Sequence, residues 1–335
     1  MENLEKVVKD FGKIKVLLLG DMAIDHYIYG KVSGISPEAP VPLLSGVSDM
    51  FKLGCAANVA NNLAALGGKV VSVGLVGNDE NGRLLVNEMK NKGVDVSGIF
   101  TDINKPTTTT IRVLSDNQQL LRIHKGWEKE AEGKVVDEIT DFLRNIIDKI
   151  DGIIIADHDK GLMTEKLIET AINISKENNK PALIDPGLRK FFDYRDVTIF
   201  KPNESESSLM TGITVINETS IRNICQRIAN QLNCENIVMT RGKKGIVIFE
   251  RSGNINNLPS LSSEIADRTG VGDTTTAALG LAFFSGAPCL EAAQISNLAG
   301  AIKVRKVGTA VVTNDEMLEK LKTFKSQSSN EEYER

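Results

Sequence analysis

Short Val- and Ile-rich runs alternate with longer amphipathic segments along most of this 335-residue chain. No other feature narrows its possible folds as much. The runs are Ile14–Leu19, Val70–Leu75, Ile153–Ala156, Ala182–Ile184, Val197–Phe200, Ile237–Thr240 and Ile246–Phe249. Each is short and nearly continuous in apolar residues, which reads as a strand buried from both sides. One intervening segment sets Val135, Ile139, Phe142, Leu143, Ile146, Ile147 and Ile150 on one face at the helical period. Buried strands separated by helices imply an α/β fold, with a mostly parallel sheet covered on both faces.

Residues 25–52 and 105–125 break this rhythm. They are polar, β-branched and turn-rich, as in Thr107-Thr108-Thr109-Thr110-Ile111-Arg112-Val113-Leu114. That texture predicts extra strands outside the main sheet. No internal repeat or domain-scale linker interrupts 1–325, so a single domain is expected there, followed by a polar, frayed tail at 326–335. A formal net charge of −4, with Lys and Arg dispersed, argues against nucleic acid as a partner. No 18-residue apolar run is present, so no membrane partner is expected. Met1–Lys6 lacks the apolar core of a signal peptide, and a cytoplasmic location is expected. Cys55, Cys225, Cys234 and Cys289 form no C-x-x-C pair and are expected to be reduced thiols. His26, His124 and His158 are too dispersed to suggest zinc.

The chemistry concentrates in Asp267-Arg268-Thr269-Gly270-Val271-Gly272-Asp273-Thr274-Thr275-Thr276, which stands before an apolar small-residue run, Ala277–Phe284. A Gly-rich turn there opens a buried helix. Its first amides lack intrahelical partners, and the helix dipole favours an anion such as phosphate. Asp273 beside a phosphate fits a proton acceptor for an incoming hydroxyl. It equally fits a residue that merely caps the helix. Gly270-Val271-Gly272 lacks the third Gly of a dinucleotide fingerprint, and no Walker A pattern occurs.

Four other places could join this site, each with a plainer alternative. In Leu53–Gly67, small residues open a second helix, and Asn58 could hold hydroxyls or simply cap. Asp21 and Asp25 follow the first strand, where open α/β sheets bind ligands; a solvated loop carboxylate suits Asp21 better than Asp25. Asn203 and Glu206 follow another strand and could place a cation through water, or start a helix. Thr240-Arg241-Gly242-Lys243-Lys244-Gly245 could face a nucleotide or form an ordinary hairpin turn.

Together these segments resemble the PfkB/ribokinase family of sugar and nucleoside kinases, over roughly residues 14–321. The family's C-terminal signature is Asp-x-Thr-Gly-Ala-Gly-Asp; here Val271 stands for Ala and keeps the main-chain N–H. Its first signature is Gly-Gly-x-x-x-Asn-x-Ala; here Gly54 is followed by Cys55, which is strained if that position needs a positive φ. The resemblance implies a ribokinase-like three-layer α/β/α sandwich, with a small β lid at 25–52 and 105–125 and a homodimer joined through the lid strands. It implies ATP and Mg²⁺, with a monovalent cation allowed. Asp273 would be the catalytic base, and the amides of Gly270, Val271 and Gly272 the anion hole. Asp25, Gly54 and Asn58 would hold the sugar; Asn203 and Glu206 would place Mg²⁺ and phosphate. Thr240, Gly242, Gly245 and Asn297, with the turn Val307-Gly308-Thr309, would face the nucleotide.

Three strings resemble the heptose-7-phosphate kinase subgroup: Ser33–Pro42, Arg112–Arg122, and Asp157-His158-Asp159-Lys160-Gly161, where His158 replaces Tyr. They imply transfer to the anomeric hydroxyl of D-glycero-D-manno-heptose 7-phosphate, on the route to ADP-heptose. Gln118, Arg122, Lys160 and Arg189 are donors available for the sugar's phosphate. The His-x-Gly-His motif of fused nucleotidyltransferases does not occur, so the stand-alone kinase form is expected. The rivals are a kinase of this fold for fructose or a hexose phosphate, and a non-catalytic sensor.

Overall fold

The computed structural model describes residues 2–116, 118–126, 130–262, 266–306, 308 and 310–333, with the side chains of 2 and 324–333 outside that description. In chain order the strands are β1 (Lys15–Gly20), β2 (Met22–Ile35), β3 (Pro42–Cys55), β4 (Lys69–Gly77), β5 (Asp95–Asp102), β6 (Thr109–Ser115) and β7 (Gln118–Lys125). They continue with β8 (Gly152–Ala156), β9 (Ala182–Asp185), β10 (Ile199–Phe200), β11 (Asn236–Thr240), β12 (Ile246–Glu250) and β13 (Ile255–Leu258). The helices are α1 (Glu2–Asp10), α2 (Ala56–Ala65), α3 (Glu80–Asn91), α4 (Lys134–Ile146) and α5 (Glu165–Glu177). After these come α6 (Glu204–Thr211), α7 (Glu218–Leu232), α8 (Val271–Phe284), α9 (Cys289–Lys303) and α10 (Asn314–Tyr333). The backbone of 326–333 thus forms the end of α10, while residues 334 and 335 lie outside the described ones.

Nine strands form the main sheet in the order β13-β12-β11-β10-β9-β8-β1-β4-β5. Every pairing from β11 to β5 is parallel, and only the β11–β12 and β12–β13 pairings at one edge are antiparallel. Period-2 side-chain alternation divides the core into two layers. Val16 and Leu18 of β1 and Ile154 of β8 pack with α2, α8 and α9; Leu17, Leu19, Ile153 and Ile155 pack with α4, α5 and α7. This is the expected three-layer α/β/α arrangement. All seven anticipated runs carry strands. The one at 197–200 keeps only its last two residues, as β10. Edge strands β5 and β13 escaped the sequence reading because they are only partly buried and lack a continuous apolar run.

A second, four-stranded sheet, β3-β2-β6-β7, takes in both irregular regions. It leaves the body where β2 follows β1 directly and returns where β3 runs into α2. No described helix is long and apolar enough to cross a membrane.

Candidate active site

The site forms where the C-terminal ends of the parallel strands meet the start of α8. Gly270 precedes α8 with φ 72°, a conformation that favours glycine, and no side chain caps the helix. Thr274 N–H closes the first intrahelical bond on Gly270 O at 3.0 Å, and Val271 N–H turns back to Arg268 O at 3.3 Å. Asp273 sits inside the first turn, not at the cap position. Its Oδ2 accepts a hydrogen bond from Asn58 Nδ2, and its Oδ1 lies 3.7 Å from His158 Nε2.

Asn58 and Asn62 are one helical turn apart, so both project from one face of α2. Asn62 receives the Thr274 hydroxyl on Oδ1 at 2.7 Å and donates its Nδ2 to Asn58 O at 2.8 Å. Two polar rungs thereby join α2 to α8 within a buried interface. Asn58 is 2% exposed, and its Oδ1 is buried without a partner among the described residues. An orphaned buried acceptor of this kind suits a donor from a ligand hydroxyl. Burial pushes the Asp273 carboxyl upward, but His158, Asn58 and Lys201 outweigh it and hold it below the usual carboxylate range. Asp273 is therefore ionised at neutral pH and able to accept a proton.

A cavity of about 410 Å³ opens beside Asp273, a size suited to a small ligand. The second sheet supplies Asp25, Thr110, Arg112 and Arg122 to its wall. Asp25 forms an ion pair with Arg112 at 2.6 Å, and burial, opposed by Arg112, raises its carboxyl. Gly54 admits this carboxylate: a Cβ there would lie 3.1 Å from Asp25 Cγ. The other wall is the 157–162 loop, carrying His158 and Lys160. Asp21 holds that loop. Its carboxylate accepts the N–H groups of His158, Lys160 and Leu162, each at 3.0 Å, and the residue is 3% exposed. The solvated reading of Asp21 is therefore wrong; three convergent amides compensate its burial. Burial lowers the Lys160 ammonium, with Cys55 and Asp21 opposing the shift.

Among the donors anticipated for a terminal phosphate, Arg122 and Lys160 reach the cavity, whereas Gln118 and Arg189 are not in its wall. Gln118 is exposed at the β6–β7 turn, paired with Ser115. At about 3.3 Å per strand residue it sits roughly 13 Å along β7 from Arg122. The backbone N–H of Arg189 instead binds Asp159 Oδ1 at 3.0 Å.

The remaining anticipated residues cluster beyond the α8 N-terminus. Asn203 and Glu206 cap α6 reciprocally: Glu206 N–H donates to Asn203 Oδ1 at 2.9 Å, and Asn203 N–H to Glu206 Oε2 at 2.8 Å. The helix-start reading describes Asn203. Glu206 also lines the cavity, and burial raises its carboxyl. Thr240 bridges to Asn203, and Gly242–Lys244 forms the turn of the β11–β12 hairpin. Gly245 packs against Leu258 and Pro259, and Asn297 Nδ2 donates to Pro259 O at 2.8 Å, so these two converge on one loop. Val307 and Thr309 lie outside the described residues. Between them, Gly308 N–H donates to Asp267 Oδ2 at 2.7 Å, and its carbonyl accepts from the fully buried Lys303 ammonium at 2.7 Å.

Residues 13–316 match the sequence profile described as pfkB family carbohydrate kinase. The chain belongs to that family. It is similar to the bifunctional protein HldE of Geobacter metallireducens (36% identical, covering 95% of this chain and 65% of the relative). The same holds for bifunctional protein HldE of Helicobacter hepaticus (37% identical, 92% and 64%). The chain thus spans slightly less than two thirds of the curated relatives it matches. Its fold is that of an Arabidopsis thaliana ribokinase solved with ribose and ATP: TM-score 0.74, 19% identity, 91% of this chain and 98% of that one. Escherichia coli phosphofructokinase-2, solved with substrates and products, gives TM-score 0.72, 19% identity, 91% and 97%.

In this pfkB-family kinase some site residues were missed from sequence. Arg112 and Thr110 share one face of β6, a pattern visible in the string, but only its pairing with β2 places them beside Asp25. Lys201 and Asp185, 3.1 Å apart, and the Thr276 hydroxyl on Asp185 at 2.6 Å carried no motif that would single them out. Cys55, which departs from the family pattern, has φ 51° and ψ −135°, a region that is essentially glycine's. Strain of this kind costs on the order of 1–3 kcal/mol, and glycine's greater chain entropy offsets about 0.5–1 kcal/mol of any relief. Cys55→Gly is accordingly expected to raise the denaturant midpoint of unfolding with an unchanged m-value; a lower midpoint would show that the Cys55 side chain contributes more than its backbone costs.

Proposed function

We propose that the protein is an ATP-dependent kinase for the anomeric hydroxyl of D-glycero-D-manno-heptose 7-phosphate, giving the 1,7-bisphosphate in the cytoplasm. One observation carries the reading: an ionised Asp273 at the amide-rich start of α8 shares a cavity with Arg122 and Lys160, two of the donors anticipated for a phosphate. The acid marks the reacting hydroxyl, and the cations suit a second phosphate on the same small molecule. The strings at 33–42, 112–122 and 157–161, and the similarity to proteins named HldE, support the heptose.

The hydroxyl oxygen attacks the γ-phosphorus of ATP as its proton passes to Asp273, and ADP departs with the bonding electron pair. In the Gly270-Val271-Gly272 turn the amides of Gly270 and Gly272 face the charge that develops on the transferring group, and the Val271 N–H joins them on leaving Arg268 O. Asp25 and the orphaned Asn58 Oδ1 orient the sugar. Mg²⁺ would fit at Glu206, whose buried carboxylate a cation would stabilise, with Asn203 as scaffold; when bound it neutralises phosphate oxygens. No step is assigned to a monovalent cation. Around the turn, Asp267 is bonded to Thr269 and Gly308, and the Lys303 ammonium occupies the Gly308 carbonyl.

Asp273→Asn is expected to lower kcat by about 10²–10⁴ while leaving the KM for ATP nearly unchanged; an unaltered kcat would remove Asp273 from the chemistry. Coupled ATP turnover should select heptose 7-phosphate over fructose, fructose 6-phosphate and ribose, with the new phosphate on carbon 1. Preference for another of these sugars would discard the substrate, and silence with all four would favour a sensor. The reading also includes a homodimer joined through the second sheet, whose Val32, Ile35, Leu43, Val47 and Met50 are 44–75% exposed. Sedimentation should show a dimer for the intact chain and a monomer for Val47→Asp.

A further inference from the structure

His158 stands where the resembling subgroup carries Tyr, and its surroundings decide its protonation. Asp21 Oδ2 fixes its main-chain N–H at 3.0 Å. In the ring, Nδ1 lies 3.4 Å from Ala156 O, and Nε2 lies 3.7 Å from Asp273 Oδ1. A carbonyl and an ionised carboxylate can only accept. Each ring nitrogen therefore faces an acceptor, and only the imidazolium carries a proton on both. The ring is about a quarter exposed and lines the cavity.

We propose that His158 is the cationic partner of Asp273 and, keeping its proton, stabilises the negative charge of the transferring phosphoryl group. At rest its Nε2–H pairs with Asp273. When the hydroxyl proton reaches Asp273, that carboxyl becomes neutral and the pair loses its attraction. Negative charge then lies on the phosphoryl oxygens, and the imidazolium at the cavity wall offsets it without giving up its proton. The inference rests on Asp273 being the proton acceptor. Tyr at this position could donate a hydrogen bond but would bring no positive charge.

The charged groups that act on the ring agree with this assignment. Besides Asp273 from α8, they are Asp185 at the end of β9, Asp21 after β1 and Glu206 from α6, while Lys201 is paired with Asp185. Burial alone would depress the imidazolium, but Asp273, followed by Asp185 and Asp21, outweighs it and raises His158 from 6.5 to about 9. The charge is complete near neutrality and is lost as pH rises through about 9. Without it, Asp273 would keep its burial and lose its main counter-charge, so its own pKa would rise.

Two experiments separate this inference from the heptose reading. Imidazole NMR of the intact chain needs no sugar, and substitutions of His26 and His124, the two other histidines, assign the signals. The His158 resonance should titrate near pH 9 and move down by a unit or more in Asp273→Asn; titration at or below 6.5 overturns the proposal. The second experiment is a kcat/KM profile with whichever sugar the wild type phosphorylates. The wild type should hold a plateau and then fall about tenfold per pH unit above 9. His158→Gln and His158→Tyr should show a plateau at least tenfold lower, no fall near 9, and an acid limb displaced upward. Retention of the wild-type plateau and alkaline limb in both variants overturns the proposal, whatever the sugar. Activity selective for a sugar other than the heptose overturns only the substrate reading.

Discussion

Two buried amides on α2 hold the start of α8, and the active site depends on that attachment. The Asn58–Asp273 and Asn62–Thr274 contacts fix the first turn of α8 against the helix that follows the second sheet. α2 is continuous with β3, and β3 pairs with β2, which carries Asp25. The helix presenting Asp273 is thus tied to the strands presenting Asp25. Around it α8 is buried from Thr274 to Ala282, mostly through small residues, so helix and sheet approach closely. Buried polar contacts of this kind are specific because a shifted arrangement would leave each group unpaired in a poor solvent.

Carboxylates do most of the remaining fastening. Asp21 gathers three amides of the 157–162 loop, Asp159 binds the amides of Leu188 and Arg189, and Asp267 joins Thr269 to Gly308. The buried Asp21 charge is costly alone and acceptable when converging donors replace water, whereas Asp159 and Asp267 are only half-buried. The 157–162 loop is thereby joined to residues 188 and 189, and the turn before α8 to Gly308. Asp273 differs from the fastening acids. Its nearest partners are an amide and an imidazole that line the ligand cavity, which leaves its carboxylate available for chemistry.

Legibility followed the range of the interaction. Runs of apolar residues reported the parallel sheet because burial on both faces is a local property of a strand. Thr240–Gly245 reads locally as a hairpin turn, and the structure has one there. Asp21 was misread because its compensating amides come from residues 137 to 141 positions away. Gln118 and Arg122 looked equivalent in one string, yet position along β7 sends one to the turn and the other to the cavity.

By itself the sequence determined the α/β architecture, the Gly-rich turn before a small-residue helix, and the acid at Asp273. These depend on residue type and spacing within a few turns of chain, and Gly270 with φ 72° is the conformation such a turn demands. Only the tertiary structure decided which charges face one another. Asn58 meets Asp273 across 215 positions, Arg112 meets Asp25 between neighbouring strands, and the His158 imidazolium is favoured by carboxylates on α8, β9 and α6 and at Asp21 after β1. A protonation state depends on distance and burial in space, and chain spacing does not encode either once the partners lie on different layers of the fold.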